Sequence, residues 1–158
     1  MNPIRPFLDK TPQLGCTVYI DPTSTVIGDV VLGDDVSVWP QTVIRGDVNQ
    51  IRIGARTNIQ DGTIIHACTI EKLCLIGMGA CILDGVTIKK YGFVGAGAVI
   101  SPNKIVGEAE LWLGNPARLV RKLSDKEIES LHYSAQHYVK LKNRYLDLSA
   151  ETTTTPSP

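Results

Sequence analysis

Little of this chain is aromatic, and neither sign of charge prevails. Phe, Trp and Tyr supply 6% of its 158 residues, so its core cannot rest on a few large rings. Lys plus Arg equals Asp plus Glu, 16 of each, and the formal charge is zero. No basic field exists to draw nucleic acid or an anionic membrane surface, so neither is an expected partner. No apolar run reaches the length of a membrane span. The opening residues Met1, Asn2, Pro3, Ile4, Arg5 and Pro6 lack the charged-then-apolar order of a secretory signal. The cytoplasm is therefore the expected compartment. None of the four cysteines (Cys16, Cys68, Cys74, Cys81) sits in a C-x-x-C pair, which leaves a zinc finger or a thioredoxin motif unsupported. In a reducing compartment they read as small apolar fillers.

What the chain does have is aliphatic residues and 14 glycines, spaced with a period. One series is Ile20, Val26, Leu32, Val38 and Ile44. A second is Ile53, Ile59 and Ile65. A third is Ile70, Ile76, Ile82, Ile88, Val94 and Ile100. Each step inside a series is six. A helix repeats every 3.6 residues and a strand every 2, so neither explains it. Short strands joined by tight corners do. Three such segments form a triangular coil, with one aliphatic plug per segment pointing to the axis. Coils then stack edge to edge and meet their backbone hydrogen bonds between them. The expected fold is mainly β: a parallel β-helix over 1–123.

Two steps break the period. The nine-residue step from Ile44 to Ile53 predicts a bulge over 46–50. The five-residue step from Ile65 to Ile70 predicts a tighter corner over 67–69. Such breaks are where a solenoid displays functional groups. After Ile100 the pattern fades. Ser124, Asp125, Lys126 and Glu127 then form a capping box. A helix of about 20 residues is expected over 124–148, by the usual start and stop signals. Its apolar stripe is Ile128, Leu131, Ala135, Tyr138, Leu141 and Tyr145, and it should lie along one face of the prism. Residues 149–158 are polar and low in complexity, and a disordered tail is expected there.

Several stretches resemble the γ-carbonic anhydrase-like hexapeptide proteins, closest to their small bacterial branch. They are Val43-Ile44-Arg45-Gly46-Asp47, Ile53-Gly54-Ala55-Arg56-Thr57-Asn58-Ile59-Gln60-Asp61-Gly62, Leu75-Ile76-Gly77-Met78-Gly79-Ala80 and Val94-Gly95-Ala96-Gly97-Ala98. Gly114-Asn115-Pro116-Ala117 and Tyr133-Ser134-Ala135 match as well. The resemblance implies a left-handed helix, although parallel crossovers are right-handed as a rule. It also implies a homotrimer, zinc (iron in some relatives) between subunits, and CO₂ or bicarbonate as the small ligand. In the active relatives three histidines hold the metal and leave one position open to water, whose pKa the metal lowers.

Here His66 follows the Asn58-Ile59-Gln60-Asp61-Gly62 segment at the family offset. It matches either the first or the last ligand histidine of the family. The later histidine pair is missing: the chain runs His66-Ala67-Cys68-Thr69-Ile70-Glu71, as if more than one coil had been removed at equivalent points. Such a removal keeps the stack in register, so the fold is expected to survive and the metal site is not.

His66 then has three readings. It is a relic ligand without metal; or part of a site completed by neighbouring subunits, or by Asp61 with Cys68 or Cys74; or the general base of an acyltransferase-like site. His132 and His137, five apart on the helix, project about 140° from each other and cannot share a metal there. By resemblance, Asn58 and Gln60 match residues that orient water or substrate, and Arg45, Asp47 and Asp61 match ion-pairing residues near the subunit interface. The expected function is a γ-carbonic anhydrase-like trimer with weak or absent CO₂ hydration. The alternatives are a non-catalytic trimeric scaffold and a hexapeptide acyltransferase, although no long loop interrupts the repeats as acyltransferases usually need.

Overall fold

A computed structural model describes residues 2–152 of the chain. It is a parallel β-solenoid closed by one C-terminal helix. The aliphatic plugs stand in three columns, and strand register shows each column directly. On one face Val26, Ile44, Ile65, Ile82 and Ile100 are successive Cα partners. On the second they are Leu14, Leu32, Ile53, Ile70, Ile88 and Val106. On the third they are Ile20, Val38, Ile59, Ile76, Val94 and Trp112. All but Leu14 and Ile20 are buried, and the buried ones form one continuous core against which Ile20 packs. Main-chain bonds run from coil to coil, as in Asn58 N to Cys74 O and Leu75 N to Gly92 O, both 3.0 Å.

Corner geometry explains the period of six. From Ile70 onward, the third residue after each plug has a positive φ: Leu73, Gly79, Gly85, Tyr91, Gly97, Asn103 and Ala109. The chain turns there, runs to the next plug and turns again. At some corners a second constraint acts one residue after the plug, where the next coil comes close to a glycine. A Cβ on Gly77 would lie 2.6 Å from Ala96 N, and one on Gly54 would lie 2.4 Å from Lys72 N. Only glycine fits at such distances.

Both register breaks take the expected form. The strand Val43–Ile53 runs through a corner, and its pairing with Thr25–Leu32 jumps from Gly28↔Gly46 to Val30↔Ile51. The extra residues bulge outward, leaving Val48 exposed. At the five-residue step the turn comes one residue early, with Ala67 at φ 46° only two places after Ile65. Ile65 and Ile70 both remain plugs, and their strands pair with the coils on both sides. The stack is continuous across this junction.

Past the last coil, Glu110–Gly114 and Ala117–Lys122 form an antiparallel hairpin. The capping box follows: Glu127 N donates to Ser124 Oγ at 3.2 Å, and Ser124 N donates to a Glu127 carboxylate oxygen at 2.8 Å. The helix is Asp125–Thr152, 28 residues. It is longer than expected and takes in residues 149–152, where a tail was expected. No glycine or proline interrupts the chain there, and Ser149 Oγ donates to the Tyr145 carbonyl one turn back. The rest of that expected tail, 153–158, lies outside the described residues. The helix covers the face of Tyr19, Ser37 and Asn58, where Tyr145 packs on Tyr19 and Trp39.

Candidate functional site

The short strand Ile64–His66 sends Ile65 into the core, so His66 points outward. In the coil below, its register partner is Arg45. Two residues on, Asp47 begins the bulge, and Arg45 Nη1 donates to Asp47 Oδ2 at 2.7 Å. His66 Nε2 lies 3.2 Å from Asp47 Oδ1, and His66 Nδ1 lies 2.5 Å from Asp84 Oδ1 in the coil above. The imidazole is thus clasped between two carboxylates from different coils. A neutral ring carries one N–H and can donate to only one of them at a time. The hydrogen bond from Arg45, helped by His66, holds the Asp47 carboxyl below the usual carboxylate range. Asp84 looks from sequence like a solvated corner charge. Its partner is 18 residues away, one coil distant, and that spacing was the signal that could have revealed it.

Asn58 and Gln60 do not join this cluster. They sit on and just after the strand Asn58–Ile59, on the face the helix covers. Asn58 Oδ1 accepts from Trp39 Nε1 at 2.7 Å and from Ser37 Oγ at 3.1 Å. Gln60 Nε2 donates to Tyr138 Oη of the helix at 3.1 Å. Asp61 lies beside Gln60, exposed, in a cleft with Trp39, Met78 and Tyr145. Of the sequence-predicted residues, Arg45, Asp47 and His66 are brought together. Asn58, Gln60 and Asp61 gather by themselves under and beside the helix.

The donor set does not suit a tri-imidazole metal. His66 is the one histidine of the solenoid, and both its nitrogens face carboxylates. His132 accepts or donates to Tyr91 Oη at 2.7 Å, and His137 lies on the helix against Tyr138. Cys68 and Cys74 are buried, and burial pushes both thiols up to about 12, which disfavours the thiolate a metal needs. Among the described residues no three His, Cys, Asp or Glu side chains are grouped to hold an ion. What the cluster offers is acid–base and hydrogen-bonding chemistry at a half-open corner.

Known proteins place the chain. The family model for bacterial transferase hexapeptide (six repeats) matches residues 11–46. Protein YrdA of Escherichia coli is 42% identical over 178 aligned positions, covering 94% of this chain and 97% of that protein. A mitochondrial gamma carbonic anhydrase of Arabidopsis thaliana is 38% identical, covering 84% of this chain and 58% of that protein. A carbonic anhydrase of Geobacillus kaustophilus is 35% identical over 172 positions, covering 95% and 94%. A solved structure from Bacillus cereus, described as a putative acetyltransferase, superposes with a TM-score of 0.77 at 33% identity, covering 92% and 97%. Ninety-four per cent of 158 residues is about 149, so about 29 of the 178 positions aligned with YrdA have no residue in this chain. The chain belongs to the γ-carbonic anhydrase-like family of hexapeptide-repeat proteins.

Proposed function

We propose that this protein is a cytoplasmic, homotrimeric γ-carbonic anhydrase-like protein whose zinc site is incomplete and whose CO₂ hydration is weak or absent. One observation carries the reading: the solenoid holds a single histidine, His66, and Asp47 and Asp84 occupy its two nitrogens. Three imidazoles are needed to hold zinc and leave a position for water. A trimer of such chains offers one solenoid imidazole at each interface. The positions of YrdA that have no counterpart here, together more than one coil in length, support the same reading. Exposed Val48, Ile64 and Met78 give apolar surface for the trimer contact. Arg45, Asp47 and Asp61 serve this interface, and Asn58 and Gln60 serve to seat the helix rather than to orient a hydroxide. Bicarbonate or CO₂ remains the small ligand of choice at the Arg45 corner.

The test is metal analysis of the purified trimer together with stopped-flow CO₂ hydration in the presence of added zinc. Far less than one zinc per chain and hydration at the buffer rate are expected. Near-stoichiometric zinc with rapid hydration overturns the proposal.

A further inference from the structure

The helix seats unevenly on its face of the solenoid. The outward residues of that face stand in one register column: Tyr19, Ser37, Asn58, Leu75, Phe93 and Leu111. At the lower end the helix packs directly, with the Tyr145 ring centroid 5.5 Å from that of Tyr19 and 5.6 Å from that of Trp39. At the upper end a cleft of about 400 Å³ lies between the helix and Leu75, Phe93 and Leu111, and Leu123 and Leu131 line it too. All five side chains are half-buried, so each keeps apolar surface that the fold itself does not cover. The volume falls in the range of small-molecule sites. An apolar cavity of about 150 Å³ takes benzene, so this one is large enough for a molecule of about two rings.

Polar groups decide what kind of molecule fits. At the mouth Arg121 Nη1 and Nη2 donate to the two carboxylate oxygens of Glu127 at 2.7 and 2.8 Å. The pair cancels its own charge. A ligand anion would have to displace Glu127 from Arg121, and a ligand cation would have to displace Arg121 from Glu127. Ser130 Oγ is spent on the Lys126 carbonyl at 2.9 Å. Ser134 Oγ, on the helix wall, has no hydrogen-bond partner among the described residues. The cleft thus offers apolar walls, the ring of Phe93 and one hydroxyl that can donate or accept. It belongs to the sheet of Leu75 and Phe93, whereas His66 lies on the other sheet.

We infer that this cleft is a binding site for an uncharged aromatic molecule of about two rings that carries one hydroxyl. Its rings pack among the leucines and against Phe93, and its hydroxyl bonds to Ser134 Oγ. A side chain from a second copy of the chain is the competing occupant, and it would keep such a ligand out.

The test is fluorescence titration of the purified full chain, in its native oligomer at pH 7, with 2-naphthol, with naphthalene and with the similarly shaped anion 2-naphthoate. One 2-naphthol per chain is expected, with a Kd of about 0.1 mM or tighter. The 2-naphthoate anion should bind at least about tenfold more weakly. Ser134→Ala should weaken 2-naphthol about fivefold to tenfold and leave naphthalene unchanged. Ser134→Trp, which fills the cleft, should abolish binding of both; if circular dichroism shows that variant unfolded, Ser134→Ala decides alone. No saturable binding, as when a partner's side chain occupies the cleft, overturns the inference. So does 2-naphthoate binding as tightly as 2-naphthol, or an unchanged 2-naphthol affinity in Ser134→Ala.

Discussion

Lys142 lies on the helix with its side chain wholly buried, and its Nζ is 3.0 Å from Asp35 Oδ1 of the solenoid. Asp35 also accepts from Thr17 Oγ1 at 2.7 Å, and Arg56 stands 3.9 Å away. Removing the carboxylate strands a wholly buried ammonium, whereas removing the ammonium leaves Asp35 partly exposed to water with Thr17 and Arg56 still beside it. Asp35→Asn should therefore destabilise the protein by about 3 kcal/mol. Lys142→Met should change stability by less than about 1 kcal/mol, because the thioether keeps the packing of the stem. Urea unfolding of both variants checks this, and equal losses would mean that the pair itself holds the helix.

Acid should weaken the fold through a few particular carboxylates. Burial pushes Asp21, Asp35 and Glu110 upward, but hydrogen bonds outweigh it and their net shift is down. Thr23 bonds Asp21, Thr17 and Lys142 bond Asp35, and Trp112, Gly107 and Lys122 bond Glu110. A carboxyl with a lower pKa folded than unfolded contributes stability above its unfolded pKa. That contribution is lost as pH falls through the folded value. Melting temperature should thus be flat from pH 7 to about 5 and drop below about pH 4. Circular dichroism melts across this range test it. Glu110→Gln should lower the melt at pH 7 and flatten the acid slope.

The plugs were legible because only one residue per six must be aliphatic, and the two irregular steps located both the bulge beside Asp47 and the corner beside His66. The contacts of that corner were not. Asp84 meets His66 from the next coil, so the residues around His66 do not mark the pair and only the spacing of one coil does. Lys142 was readable in principle: it stands four residues after Tyr138, on the apolar stripe, where a charge needs a buried partner. Asp35, 107 residues earlier, could be named as that partner only once the helix was laid on its face. The helix runs past residue 148 because polar composition alone does not end a helix, and nothing between Tyr145 and Thr152 breaks one.

Cysteine reactivity should sort by depth. Cys16 is exposed, Cys81 is intermediate, and Cys68 and Cys74 are buried with thiols pushed up to about 12 by burial. The thiolate is the reacting form. Titration of the native protein with an aromatic disulfide should give one fast equivalent from Cys16 and a slower one from Cys81. Cys68 and Cys74 should react only after denaturation. Four rapid equivalents in the native state would contradict the packing beside the five-residue step.

Two glycines separate the two rules of the corner. Gly97 has φ +68°, and a Cβ there meets nothing within 4 Å. Gly97→Ala therefore incurs only the torsional penalty of a left-handed alanine, about 1–2 kcal/mol, partly offset by the stiffer unfolded chain. At Gly77 the φ is ordinary, but a Cβ would lie 2.6 Å from Ala96 N and 2.8 Å from Gly95 C, both main-chain atoms of the next coil. Neither can swing aside without parting the coils, so Gly77→Ala should cost well over about 3 kcal/mol or prevent folding. Urea midpoints of the two variants decide the matter. If Gly77→Ala were the milder of the two, the coils could not be stacked as tightly as the register between Ile76 and Val94 requires.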